Sequence, residues 1–291
     1  MSEYAVSFPC QGNDLVGVII RPEQARKRGV LMAVAGGPQY RIGGHRQNTL
    51  WARRLSAEGY PTLRFDNRGV GDSQGSYQGF QHLDEDIRAA VECFFREVPG
   101  MEEVVLWGEC NAASAILFYA YRDKRVSGVV LLNPWVRTEE GEARAILKHY
   151  YLMRLTQPDF WKKVLSLRFN PLASVSSALG LVRKVRAAKD ASAVVSGAQG
   201  LDAPLSQNLP LPERMLAGLT RFRGAVMLVL SGRDLVAKEF EDMVKASPAW
   251  KEQLEARTLD WNDLPDGDHT FSSASQRNQV ADWGLTWLKK W

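Results

Sequence analysis

Short apolar runs alternate with amphipathic stretches along most of the chain. Val30-Leu31-Met32-Ala33-Val34-Ala35 is a continuous run of the kind a parallel sheet buries on both faces. Runs at residues 61–66, 104–107, 126–132 and 225–232 read the same way. Between them lie helical periods, clearest where Leu83, Ile87, Val91 and Phe94 recur on one face. Further helices are expected over 49–58, from Ala112, from about Lys238 and from about Ser275, with a short strand near 257–261. At the start, Ala5-Val6-Ser7-Phe8 and Leu15 to Ile20 flank Gly12-Asn13-Asp14, which predicts an antiparallel hairpin. Strands and helices alternating at this spacing predict an α/β fold with a mostly parallel sheet and helices on both faces.

From about Trp135 the alternation stops. The stretch to Arg214 has helical pieces rich in aromatic residues (Tyr150, Tyr151, Phe160, Trp161, Phe169) and no strand as apolar as those before it. It reads as a helical cap, residues 135–214, inserted into a core of residues 1–134 and 215–291 and covering the carboxyl edge of the sheet, where such folds bind ligands. Pro204 to Pro212 reads as an irregular return from the cap. Composition adds little: 45% hydrophobic and 24% charged residues are ordinary for a globular protein. Net charge is +4, too small by itself to suggest nucleic acid, but ten basic residues against Asp159 alone fall between Arg144 and Lys189. Three cysteines without metal-ligand spacing, no leader-like start and no long apolar run point to a cytoplasmic protein without disulfides.

The chemistry centres on Val104-Val105-Leu106-Trp107-Gly108-Glu109-Cys110-Asn111-Ala112-Ala113. An apolar strand runs into a glycine, one reactive side chain follows two residues later, and small residues open a helix. This is the pattern of a nucleophile elbow, G-x-Nuc-x-G, with Cys110 in place of serine and Ala112 in place of the second glycine. A thiol at a helix N-terminus feels the positive end of the helix dipole, which favours the thiolate. The competing reading is a buried structural cysteine at a strand end.

A cysteine nucleophile needs a base and a group to orient it. Of four histidines, His269 in Asp266-Gly267-Asp268-His269-Thr270-Phe271 lies in a turn-forming loop before the last helix. His45 is near the first glycine-rich loop, His82 at a helix start, and His149 in the cap. Asp234, in Ser231-Gly232-Arg233-Asp234, directly follows a late strand and could equally cap the next helix. The resulting order, Cys110, Asp234, His269, is that of an α/β-hydrolase. The oxyanion hole would combine the backbone N–H of Asn111 with one from the loop after the third strand; Pro38 has none, leaving Gly36 or Gly37, with Gly37 the better placed. No phosphate-loop spacing follows these glycines. Trp135, Arg137 and His45 are candidate pocket residues. No metal site and no cofactor is called for.

The turn Asp66-x-Arg68-Gly69-x-Gly71-x-Ser73, the elbow, Gly232-Arg233-Asp234 and Asp268-His269 resemble the α/β-hydrolase superfamily over nearly the whole length. Within it, the cysteine elbow, Asn133-Pro134-Trp135-Val136-Arg137-Thr138 and His149-Tyr150-Tyr151-Leu152 are similar to the exosortase A system-associated hydrolases, accessory proteins of bacterial exopolysaccharide and protein-sorting loci. The resemblance implies hydrolase chemistry and supplies no substrate. Two departures stand out: no histidine precedes Gly36, and Ala112 replaces the elbow glycine.

The residues themselves point to cleavage of an ester or thioester through an acyl-thioester enzyme. Acyl transfer to an alcohol or amine is the alternative, with coenzyme A or an acidic acyl-carrier protein drawn to the basic cap. Peripheral docking on anionic lipid is a third use of the same charges. A non-catalytic hydrolase-like scaffold is the reading from a different class.

Overall fold

The computed structural model describes residues 1–34, 39–137, 203–257 and 259–291. The cap assignment falls mostly outside the described residues, as do its basic stretch, His149, Gly36 and Gly37.

Eight strands form one sheet in the order β1-β2-β4-β3-β5-β6-β7-β8. They are β1 (Ser2–Cys10), β2 (Asn13–Arg21), β3 (Arg28–Ala33), β4 (Thr62–Phe65), β5 (Glu103–Glu109), β6 (Val126–Leu132), β7 (Ala225–Ser231) and β8 (Leu259–Leu264). The hairpin β1–β2 pairs with Ala5 opposite Val18, and β2 runs antiparallel to β4. From β4 to β8 every neighbouring pair is parallel. This is the α/β-hydrolase arrangement expected from the strand–helix alternation.

Parallel strands with both faces covered account for the unbroken apolar runs. Alternate residues of β3 illustrate the division, because Leu31 and Ala33 enter one core while Val30 and Met32 enter the other. Helices α1 (Gln47–Ala57) and α7 (Ala274–Leu288) contribute Trp51, Leu55, Val280 and Leu288 to the second core. Helices α2 (Asp84–Glu97), α3 (Asn111–Tyr119), α4 (Leu211–Arg221), α5 (Leu235–Ala246) and α6 (Pro248–Glu255) cover the first. Among the described residues no helix is long and apolar enough to cross a membrane.

Two helices were not legible in advance. α4 begins inside the proline-rich stretch expected to be irregular, and Pro212 sits in its first turn. A missing N–H there removes no helical hydrogen bond, so proline starts this helix instead of breaking it. α6 likewise opens on Pro248 behind the capping hydroxyl of Ser247. The last strand is also later than expected, at Leu259–Leu264. Among the described residues it pairs only with β7, at the end of the sheet, and its sequence, Leu-Asp-Trp-Asn-Asp-Leu, is mixed.

The parallel strands deliver the chemistry to one rim. β5, β7 and β8 end at Glu109, Ser231 and Leu264, and Cys110, Asp234 and His269 follow them within a few residues. The second core sets how closely α7 can lie against β5: a methyl group added at Gly284 would stand 2.6 Å from Cη2 of the buried Trp107. Gly284→Ala is therefore expected to overpack this contact and cost about 1–3 kcal/mol. Urea unfolding should show a lower midpoint with an unchanged slope.

Candidate active site

The turn from β5 into α3 holds Cys110 at φ 56°, ψ −127°, outside the regions an L-residue ordinarily takes. Three contacts keep it there. The Cys110 N–H donates to the carbonyl of Leu132 at 2.8 Å, continuing the β5–β6 ladder one residue beyond the strand. Its carbonyl accepts from Ala113 at 3.1 Å and from Trp135 at 3.2 Å. Tight packing also forbids a side chain at the approach to the turn: a methyl group on Gly108 would lie 2.6 Å from Cδ1 of Ile116 and 2.9 Å from the backbone of Ala112. The thiol sits at the N-cap of α3, 9% exposed.

His269 joins the other two groups. Its Nδ1 lies 2.8 Å from Oδ2 of Asp234, and Cys110 is a second group that acts on the ring to raise its pKa. With Nδ1 engaged by Asp234, Nε2 is the ring nitrogen left for another partner. Burial disfavours the imidazolium, but the hydrogen bonds and charges of Asp234 and Cys110 outweigh it and carry the His269 pKa from 6.5 to about 10.

Asp234 combines the two roles weighed from sequence. It is the N-cap of α5, its Oδ1 accepting from Val236 N at 3.0 Å and its Oδ2 from Ala237 N at 3.2 Å. The same Oδ2 meets His269. Two backbone donors thus fix the rotamer from which the carboxylate reaches the imidazole.

Neither nearby aspartate competes for His269. Asp268 accepts from the backbone of Thr270 and Ser272 and from the Ser272 hydroxyl, and Asp266 pairs with Arg233. Asn111 opens α3, which puts its amide in the first helical turn, where N–H groups point out of the helix. Trp135 lies beside the elbow through its backbone bond to Cys110, and the Arg137 guanidinium stands 4.6 Å over the Trp135 ring with Nε 3.3 Å from Glu239. His45 is exposed, in a left-handed backbone conformation before α1. His82 makes a 3.1 Å contact through Nδ1 with Gln207 and takes no part in this cluster. Among the described residues no group of histidines, cysteines and carboxylates is arranged to hold a metal ion.

Asn133 is a supporting residue that sequence reasoning passed over. Fully buried at φ 45° just beyond β6, it donates from Nδ2 to the His269 carbonyl and to Oγ of Ser231, each at 3.0 Å. Its Oδ1 accepts from Ser231 N at 2.8 Å. It therefore ties the histidine loop to the end of β7. Its position directly after an apolar strand was visible in the sequence; its partners, 98 and 136 residues away, were not.

Comparison with known proteins identifies the family. A family model described as serine aminopeptidase, S33, matches residues 42–239, a span from ahead of α1 into α5. The chain belongs to this α/β-hydrolase family. Where the family description speaks of serine, the elbow of this hydrolase carries cysteine. The chain is 36% identical over 103 residues to the quorum-quenching protein AidA of Acinetobacter baumannii, a match covering 32% of the hydrolase and 33% of that relative. In structure it is similar to the Pyrococcus furiosus esterase Pf2001, with a TM-score of 0.65 at 14% identity over 100% of this chain and 91% of that one. It is also similar to Est1E of Butyrivibrio proteoclasticus, solved with ferulic acid, with a TM-score of 0.59 at 15% identity over 98% and 100% of the two chains. At these identities the structural likeness is one of fold.

Replacing Asn133 by Leu would strand the buried Ser231 and His269 backbone groups. A loss of about 1–3 kcal/mol per unpaired group is expected. In thermal unfolding Asn133→Leu should melt well below the parent, whereas His45→Ala, at an exposed position, should leave the melting temperature unchanged.

Proposed function

We propose that this hydrolase cleaves carboxylic esters or thioesters with Cys110 as nucleophile, His269 as acid–base and Asp234 as the group that orients the imidazole. The observation that carries the reading is the 2.8 Å contact of His269 with Asp234 at the sheet rim where the strained turn presents Cys110. The reactive pair in this reading is the Cys110 sulfur as thiolate, the nucleophilic form of cysteine, with the His269 imidazolium. The sulfur attacks the acyl carbon and forms the S–C bond, and the carbonyl electron pair moves onto oxygen. Collapse of this tetrahedral adduct expels the leaving alkoxide or thiolate, which takes a proton from His269. Neutral His269 then removes a proton from water, whose oxygen attacks the acyl-thioester. Collapse of the second adduct releases the carboxylic acid and the Cys110 thiolate, and the proton taken from water stays on His269, which restores the starting pair.

Negative charge on the carbonyl oxygen is best met by the N–H of Asn111, the residue after the nucleophile, together with Gly37. Each such donor contributes about 2.7–4 kcal/mol in comparable sites. Trp135 and Arg137, beside the elbow, are the side chains on hand to line an acyl pocket. Residues 135–214 are the cap in this reading. The cysteine elbow also keeps the resemblance to the exosortase A system-associated hydrolases in view, and three free cysteines suit the cytoplasm.

An acyl-thioester enzyme can pass its acyl group to an alcohol or amine as readily as to water. The basic stretch of residues 144–189 favours coenzyme A or an acidic carrier protein as the donor's other half. Assaying p-nitrophenyl and coenzyme A acyl esters with and without an added acceptor separates hydrolysis from transfer. An unchanged Michaelis constant from low to high salt removes the carrier.

Cys110→Ala should lower kcat/KM by about four orders of magnitude, and iodoacetamide should label Cys110 far faster than Cys10 or Cys93. Full turnover by the alanine variant ends this reading. The raised His269 pKa sets the alkaline behaviour: the imidazolium persists below about 10 and is lost above it. Activity should therefore fall as pH rises through about 10, and because Asp234 is one source of the shift, Asp234→Asn should move that limb to lower pH. The stabilisation His269 gains from its partners follows the same sign, being complete below its ordinary value of 6.5 and lost as pH climbs through about 10.

A further inference from the structure

Glu109 occupies an unusual place for a carboxyl group. It is the last residue of β5, 7% exposed, and directly precedes Cys110. No cation pairs with it among the described hydrogen bonds. Its one such bond comes from Nε2 of Gln47, a fully buried residue at the start of α1, to Glu109 Oε2. Gln47 reaches it from a segment bent for the purpose, since His45 and Arg46, immediately before, both have left-handed backbones at φ 52° and 62°.

Two further atoms of this pair are informative. Glu109 Oε1 and Gln47 Oε1 are both buried and find no hydrogen-bond partner among the described residues. A buried acceptor without a donor is expensive in a dry interior, and this pair holds two of them. A carboxylic acid has one donor that a carboxylate lacks. An amide that already donates N–H to one oxygen of an acid presents its carbonyl to the other, and an O–H on that oxygen closes a two-bond ring. A single proton on Glu109 satisfies both orphaned oxygens at once.

We infer that Glu109 is a positioning residue kept as a neutral acid by its acid–amide pair with Gln47, so that Cys110, His269 and Asp234 carry the charge of the site without a second fixed carboxylate behind the nucleophile. This rests on the assignment of Cys110 as nucleophile for its catalytic meaning, though not for the protonation itself. The groups facing Glu109 agree. Burial pushes its pKa up from 4.5 to about 8; His269 opposes that shift, Asp234 adds to it, the Gln47 hydrogen bond opposes it and Asp268 adds to it. Cys110 is its neighbour in the chain, and Gln47, the residue it touches on α1, is uncharged.

The decisive experiment has two arms. In the first, the Glu109 side-chain carboxyl is followed by carbon-13 NMR through a pH titration in the unaltered protein and in Cys110→Ala, with the resonance assigned through its own side chain. The expected midpoint lies above pH 7 in both proteins; a midpoint in the ordinary carboxylate range overturns the inference. Because the Cys110→Ala protein has no thiol to react, this arm stands whether or not Cys110 is the nucleophile. In the second arm, the pH profile of Cys110 alkylation and of ester turnover is compared with that of Glu109→Gln, whose amide mimics the protonated acid and can complete the same ring with Gln47. The variant should keep kcat/KM within about threefold of the parent at pH 7 and lose a rate step that the parent shows near pH 8, leaving only the limb near 10. A fall of about tenfold or more in a folded Glu109→Gln protein at pH 7 would mean that the site uses the carboxylate, and the inference fails. A turnover failure confined to Cys110→Ala leaves it intact.

Discussion

The turn at Cys110 is the constraint about which the rest of the site is arranged. A β-strand and a helix can meet at so sharp an angle only if one residue takes a positive φ and the flanking positions stay small. The strain of that conformation, of order 1–3 kcal/mol for a residue outside the usual regions, is held by the sheet itself. The Cys110 amide is still part of the β5–β6 ladder, and its carbonyl is shared between α3 and Trp135. The thiol is thereby fixed above the rim with its only freedom the side-chain torsion. Everything that acts on it must come from other strand ends.

Asp234 and His269 reach it by the same logic. Asp234 is oriented by the amides of the helix it caps, and only then by the imidazole; the helix would hold this carboxylate in place with no histidine present. His269, on a loop, has no such frame of its own. Asn133 provides one by binding the His269 carbonyl to the end of β7, so a position on a flexible connection inherits the rigidity of two central strands. A loop histidine becomes a precise one because a buried amide just past β6 has three polar partners at once.

What the sequence made legible follows from what leaves a local trace. Central strands were plain because burial on both faces demands unbroken apolar runs. Cys110, Asp234 and His269 could be picked out because each directly follows such a run or sits in a turn-rich loop. β8 and the helices opening on Pro212 and Pro248 were less clear, since an edge strand need not be apolar and a proline reads as a breaker until its position in the first turn is known. The polar supports left no trace. Gln47 and Glu109 are 62 residues apart, and a glutamate at the end of an apolar strand reads as the strand's exit to water. Only the fold reveals that this carboxyl is buried, and with what.

The departure from the elbow's usual second glycine can be understood in the same physical terms. The two small positions of G-x-Nuc-x-G face different constraints. At Gly108 a methyl group would collide with the backbone of Ala112 and with the Ile116 side chain, so the strand side of the turn admits hydrogen alone. At 112 the methyl group is present and fully buried while α3 still opens at Asn111. The close approach that sharpens the turn is therefore made from the Gly108 side, and the helix side tolerates one carbon. Cys110 keeps its positive φ with alanine two residues later, so this substitution removes no group from the site.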